Sequence, residues 1–165
     1  MPCAGADDSR QFDTTYRGFA DETYSSIRAE TFGEDIGQNS WTTADEVCRF
    51  GESLGLGPGS HLLDLASGSG GPDLFLAGTL GCRVTGVDTH AQGTSVANES
   101  ARGRGLTDKA RFVCADVREP LPFPEGRFDA VLSIDAFNHF FDLAGLLREC
   151  FRVLRPGGGS CSRTR

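Results

Sequence analysis

The chain has almost no lysine. Of its 16 basic residues only Lys109 is one, and the arginines are scattered with no basic stripe. With a net charge of −7, it offers no footprint for a polyanion, which argues against nucleic acid and anionic membrane surfaces as partners. No apolar run approaches the ~18 residues of a membrane span. The opening Met-Pro-Cys-Ala-Gly-Ala-Asp-Asp has neither a basic nor an apolar segment for export. The six cysteines are dispersed without a Cys-x-x-Cys pair, so no metal site or redox dithiol is expected. Reduced thiols in a cytoplasmic protein are the reading. Tryptophan and tyrosine are scarce: Trp41, Tyr16 and Tyr24 all precede residue 43. These three are candidate substrate contacts, in a cap and lid segment over residues 1–42.

At 165 residues the chain is long enough for one domain with a sizeable core. Residues 12–34 contain two weakly amphipathic stretches, expected as short helices packed back on the domain, and 32–41 reads as a loop. Thr43 followed by Glu46 makes a capping box for a helix that carries Val47, Phe50 and Leu54 on one face. His61–Leu65 reads as a short buried strand, and a helix follows from Pro72 to about Leu80, with Gly81 ending it. Further strands are expected at Arg83–Asp88, 110–116 and Phe128–Ile134, with helices over 90–104 and 142–154. The last of these puts Leu143, Leu146, Leu147, Cys150, Phe151 and Leu154 on one face, and Pro156 stops it. Strands alternating with helices imply an α/β fold: a doubly wound, Rossmann-like, mostly parallel sheet with helices on both faces. Ligands of such sheets sit at the C-terminal strand ends. Here those ends are the 66–71 loop, Asp88, Asp116 and 133–135.

The stretch 62–72, Leu-Leu-Asp-Leu-Ala-Ser-Gly-Ser-Gly-Gly-Pro, is a strand feeding a glycine turn into a helix, so a ligand can lie against bare backbone N–H groups. A dinucleotide fingerprint starting at Gly68 finds Gly70 but then Asp73 in place of the third glycine, and the Gly-Lys-Ser/Thr of a phosphate loop is absent. A ligand without phosphates fits better. S-adenosyl-L-methionine has none, and it carries an ammonium and a sulfonium that an acidic site tolerates.

Asp64-Leu-Ala-Ser-Gly-Ser-Gly70 resembles the first motif of class I S-adenosylmethionine-dependent methyltransferases. Val87-Asp88 and Ala115-Asp116-Val117 resemble the acidic ends of their second and third strands. Phe128-Asp-Ala-Val-Leu-Ser and Glu149-Cys-Phe-Arg-Val-Leu-Arg-Pro-Gly-Gly158 resemble the segments around their fourth strand and the helix after it. Together these cover about 60–158, the core being 43–159. The resemblance implies a methyltransferase with S-adenosyl-L-methionine as cofactor. Ala66, Ser67, Gly68 and Gly70 would approach its methionine part, with Asp64 beneath the loop orienting it. Asp88 would take both ribose hydroxyls, Asp116 the adenine amino group, and Val117 would lie beside the ring. Thr89, Ser133 and Ile134 complete the cofactor set. Ala66 stands where the family usually has glycine, which fits if φ there is ordinary.

The segments Phe32-Gly-Glu-Asp-Ile-Gly and Ser133-Ile-Asp-Ala-Phe-Asn-His139 resemble the small-molecule N-methyltransferases acting on phosphoethanolamine or on glycine, sarcosine and dimethylglycine. The resemblance implies a small-molecule acceptor, an amine, with Asp135 and His139 as a catalytic dyad. Family members usually continue past Pro-Gly-Gly with three more strands, whereas this chain ends seven residues after Gly158. The expectation is therefore a C-terminally truncated sheet and a tail, 160–165, without strand pattern. The fourth strand would be an exposed edge open to homo-oligomer pairing. A second reading follows: a non-catalytic cofactor-binding fragment or subunit that needs a partner.

Overall fold

The computed structural model describes residues 21–136, 140 and 142–163. The described elements run α1 (Glu22–Phe32), α2 (Ala44–Ser53), β1 (His61–Leu65), α3 (Gly71–Thr79), β2 (Arg83–Asp88), α4 (Ala91–Gly103), β3 (Ala110–Cys114), β4 (Phe128–Ile134), α5 (Leu143–Val153) and β5 (Leu154–Arg163). All five strands are parallel, in the order β3-β2-β1-β4-β5.

Alternation along the strands divides the core between the two sheet faces. Leu62, Val84, Ala130 and Leu132 point to one face. They pack there with Val47 of α2, Leu74, Leu76 and Ala77 of α3, and Ala97 and Ala101 of α4. Leu63, Leu65, Val87 and Val131 point to the other, against Phe123, Phe128 and the α5 residues Leu146, Cys150 and Val153. β1 is central and buried at all five positions. The Thr43–Glu46 capping box forms as expected: Glu46 N donates to Thr43 Oγ1, and Thr43 N donates to the Glu46 carboxylate. Gly81 follows α3 at φ 72°, the left-handed stop that glycine provides.

Several expectations are corrected. Residues 154–163 are a strand, not a tail, so β4 lies between β1 and β5 and is not an edge. Its Gly-Gly-Gly-Ser-Cys-Ser composition has no apolar alternation to announce it. It forms because β4 presents an unpaired ladder beside it, and Ala130 to Ile134 take Gly159 to Arg163 as partners. The register jumps between Phe128 and Ala130, which leaves 155–158 bulged out. The Asp129 carboxylate pairs with Arg155 and accepts from His61 N at 2.5 Å, tying β5 and β1 to β4. β3 stops at Cys114, two residues short of Asp116. Its outer edge is met by Asn98, whose amide donates to Phe112 O at 2.9 Å and accepts from Phe112 N at 3.1 Å.

α5 buries only half of its apolar face. Leu143, Leu147 and Phe151 stay exposed, because a straight helix on a sheet covers one stripe and the apolar arc here is wider than that stripe. α1 buries no residue, contrary to the expectation that it packs on the domain. It is tied to the following segment by Arg28 and Ser25, which both donate to Asp35, and by the edge of Phe32 against Trp41. The part of the 12–34 expectation before residue 21 lies outside the described residues. Cys48, Cys82, Cys150 and Cys161 are free thiols as expected, whereas Cys114 is disulfide-bonded. No helix of the described residues is long and apolar enough to cross a membrane, and no group of three metal-binding side chains gathers among them.

Gly86 of β2 has no room for a side chain: a Cβ there would lie 2.5 Å from the Phe112 ring and 2.6 Å from Ser67 Oγ. Gly86→Ala is expected to cost about 2 kcal/mol through overpacking, lowering the thermal midpoint by about 4–8 °C in a calorimetric or circular-dichroism melt.

Candidate active site

The C-terminal ends of β1, β2 and β4 meet around the turn that joins β1 to α3. Ala66 leaves the strand at φ 61°, followed by Gly68 at φ 55° and Gly70 at φ 72°. The turn is held from below by the neighbouring strand: Ser67 N donates to Val87 O at 3.0 Å, and Gly68 N donates to Asp88 Oδ2 at 2.8 Å. Asp88 Oδ1 accepts from His90 N at 2.8 Å where α4 begins. One carboxylate therefore joins the glycine turn to the next helix.

Two close approaches require glycine here. A Cβ on Gly70 would fall 2.4 Å from the Phe112 ring. A Cβ on Gly71 would fall 1.9 Å from Gly37 O, because the 36–38 segment, with Ile36 and Gln38 buried, sits directly on the start of α3. Ala66 overturns the expectation of an ordinary φ. It adopts the left-handed conformation, at a cost of about 1 kcal/mol for a residue with a Cβ. Closing the turn onto Val87 and Asp88 imposes that conformation, which residue identity alone does not reveal.

Asp64 of β1 and Asp73 of α3 are both buried and close enough for one carboxyl to hydrogen-bond the other. Beyond that contact, Asp64 Oδ1 and both Asp73 oxygens lack a partner among the described residues. Burial, with repulsion from Asp73 added, pushes Asp64 well above the usual carboxylate range, and burial pushes Asp73 up to about 7. The pair retains a proton at neutral pH, as two crowded carboxyls out of water must. In the sequence Asp73 stands out only as the residue in place of the third glycine of a dinucleotide fingerprint. An acid at the third position of an apolar helix was the one available signal of its role.

The structure brings Asp64, Ala66, Ser67, Gly68, Gly70 and Asp88 together, with Thr89 half-buried beside Asp88. Ser133 is buried at the end of β4 and donates to Leu65 O at 3.0 Å, supporting the turn from the other neighbour. Ile134 pairs with β5, and Asp135 follows it at φ 55° with both carboxylate oxygens buried. Asp116 lies after β3, its carboxylate gripped by Arg118 at 2.6 Å. Those hydrogen bonds hold it below its usual range. Val117 is buried and lines a cavity of about 250 Å³ with Phe140, Leu146 and Glu149. Tyr24 and Trp41 are exposed, Trp41 at 62%, in edge contact with Phe32. Tyr16 and His139 lie outside the described residues. Sequence reasoning missed Phe112, which props the turn, and Arg163, which reaches Thr42, Glu46 and Asp135. Arg163 was hidden in a segment read as tail.

Two outcomes follow. Relieving the left-handed alanine with Ala66→Gly is expected to stabilise the fold by about 0.5–1 kcal/mol in urea titration, the relaxed φ outweighing the added freedom of the unfolded chain. For the buried pair the folded state holds protons more tightly than the unfolded state, whose carboxyls titrate near the ordinary value of 3.8. The pair's contribution to stability is therefore fullest at low pH and is lost as pH rises through about 7. Asp73→Asn is expected to be near neutral at pH 4 and stabilising by about 2 kcal/mol at pH 8, read as a divergence of urea midpoints.

Comparison with known proteins bears on this geometry. A family described as methyltransferase domain matches residues 63–161, from β1 into β5. The chain is 33% identical over 156 residues to a sterol 24-C-methyltransferase of Gibberella zeae, a match covering 83% of this chain and 41% of that protein. It is 31% identical over 152 residues to the 27-O-demethylrifamycin SV methyltransferase of Amycolatopsis mediterranei, 87% of this chain and 54% of that one. The solved phosphoethanolamine N-methyltransferase 2 of Haemonchus contortus superposes with a TM-score of 0.74 at 25% identity, over 93% of this chain and 34% of that one. The chain thus spans about half or less of the length of these relatives. The match runs through the glycine turn, the aspartate-ended strands and β5 alike, and on it the chain belongs to the class I S-adenosylmethionine-dependent methyltransferases.

Proposed function

We propose that the whole protein transfers a methyl group from S-adenosyl-L-methionine to a small-molecule acceptor, and that this span supplies the cofactor site. The observation that carries the reading is the glycine turn at the end of β1. Gly68 and Gly70 expose backbone at positive φ, while Asp88 on the adjacent strand holds the turn through Gly68 N. Such a cradle suits a ligand lying against main chain. The buried acids Asp64 and Asp73, with unpartnered oxygens beneath it, suit a cationic group and disfavour a phosphate.

The backbone of 66–70 holds the methionine part, and Asp88, which is already met by Gly68 N, His90 N and His90 Nδ1, accepts from the ribose hydroxyls with its remaining lone pairs. Asp116 meets the adenine amino group, Val117 lies beside the ring, and Thr89, Ser133 and Ile134 line the same edge. The cofactor supplies an electrophilic methyl group on a sulfonium. The protein's task is then to hold the acceptor in line, and a base matters only when the acceptor arrives protonated.

For the acceptor we favour an amine, on the likeness of 133–139 to the small-molecule N-methyltransferases. His139 takes the proton and Asp135 fixes its tautomer, with Tyr16, Tyr24 and Trp41 as the lid contacts. The names of the relatives speak of carbon, oxygen and nitrogen acceptors, so acceptor choice is the finer part of the proposal.

Calorimetric titration with S-adenosylhomocysteine is expected to show one site. Asp88→Asn keeps a neutral acceptor but removes the charge, and is expected to weaken binding at least about tenfold. Methyl transfer from labelled cofactor to a panel of amines, hydroxyl compounds and activated carbons then decides the acceptor. Binding without transfer to any of them would favour a cofactor-binding subunit, and no binding by the folded chain would reject the proposal.

A further inference from the structure

Asp135 leaves β4 in a left-handed backbone conformation, its N–H bonded to the neighbouring strand. It stands at φ 55°, in the left-handed region that few residues with a Cβ occupy and that aspartate enters more readily than most. Its two oxygens are buried without a hydrogen bond among the described residues. A buried, strained carboxylate persists only when its surroundings over-determine it. Here those surroundings are Arg163, the last residue of β5. Its carbonyl accepts from Asp135 N at 2.7 Å, and its Nη1 lies 3.7 Å from Asp135 Oδ2.

The same guanidinium reaches away from the sheet. Nη1 donates to Thr42 Oγ1 at 2.5 Å, and Nη2 lies 3.3 Å from Glu46 Oε1. Thr42 is fully buried, and Glu46 belongs to the capping box that starts α2. Four residues before Thr42, the 36–38 turn rests on Gly71 at the head of α3. One side chain therefore joins three parts of the chain far apart in sequence: the segment over the glycine turn, the residue after β4 and the end of β5. A planar fork of five donors can serve a hydroxyl and two carboxylates at once. Shared in this way, it neutralises Asp135 at long range without using up its lone pairs.

We propose that Arg163 is a positioning residue. It keeps Asp135 aimed as a charged acceptor at the ligand end of β4 and latches the 36–46 segment over the glycine turn, so that ligand binding and segment closure are coupled. The coupling to ligand rests on the cofactor reading above, whereas the latch itself does not.

Trp41, the single tryptophan, is next to Thr42 and exposed, so its fluorescence and acrylamide quenching report the latch. The test compares the full chain with Arg163→Met and Arg163→Lys, titrated with S-adenosylhomocysteine by calorimetry and by quenching. In the unaltered chain, ligand is expected to lower Trp41 quenching. Arg163→Met is expected to raise quenching before ligand is added, lose the ligand response and bind about tenfold more weakly. Arg163→Lys, with charge but no fork, is expected to recover most of the affinity and none of the Trp41 response. Equal affinity and equal quenching in Arg163→Met and the unaltered chain would overturn the proposal. If the unaltered chain does not bind, the cofactor reading fails, and the ligand-free quenching of Arg163→Met still decides the latch. Should Arg163→Met not fold, Thr42→Val removes the hydroxyl end of the latch, and unchanged quenching there overturns it.

Discussion

Gly70 and Gly71 are clamped where no Cβ fits, with the Phe112 ring against one and the Gly37 carbonyl against the other. The ligand end of the sheet is built around this contact. Phe112 belongs to β3, two strands away from β1, and reaches the turn past Gly86 of β2. Two glycines, Gly70 and Gly86, thus let an edge-strand side chain support a turn at the sheet's centre. The carbonyl of Gly37 brings the 36–46 segment down from the other side. Ser67, Gly68 and Asp88 then lock the turn to β2, and Ser133 locks the end of β1 to β4. Rigid support on both sides allows the turn to keep an alanine at φ 61°.

Around that turn the chain concentrates acid out of water. Asp64, Asp73 and Asp88 are buried, and the oxygens of Asp135 are too. Burial holds Asp64 and Asp73 above the usual carboxylate range, Asp88 accepts from Gly68 N and His90 N with the His90 ring beside it, and Asp135 faces Arg163. Such an arrangement is costly in an empty core and reasonable beneath a ligand that brings positive charge and hydrogen-bond donors.

The fold does not choose the acceptor. Relatives that share this span carry names that speak of sterol carbon, a rifamycin oxygen and a phosphoethanolamine nitrogen, as expected when function is grafted on a common frame. Within this chain, the features that differ from a bare cofactor cradle lie at 36–46, at Asp135 and on the exposed α5 face of Leu143, Leu147 and Phe151. These are the places that local sequence pattern describes least.

Much of the frame was legible because it depends on local physics. His61–Leu65, Arg83–Asp88 and Phe128–Ile134 are the strands read from their apolar runs. The Thr43 capping box and the Gly81 stop need only neighbours within one helical turn. Residues 66–70 and Asp88 were legible as a cluster because parallel strands bring their C-terminal ends together whatever their side chains. The remainder depended on contacts across the sheet. β5 exists because β4 offers it an open ladder, and its own glycines and serines carry no hydrophobic period. Arg163 gained a role only when that pairing placed it beside Asp135 and Thr42. The left-handed conformations of Ala66 and Asp135 come from closing turns against neighbouring strands, and the raised titration of Asp64 and Asp73 comes from their burial. Periodicity and capping are encoded within a few residues, whereas strain, pairing and desolvation arise only when distant segments meet.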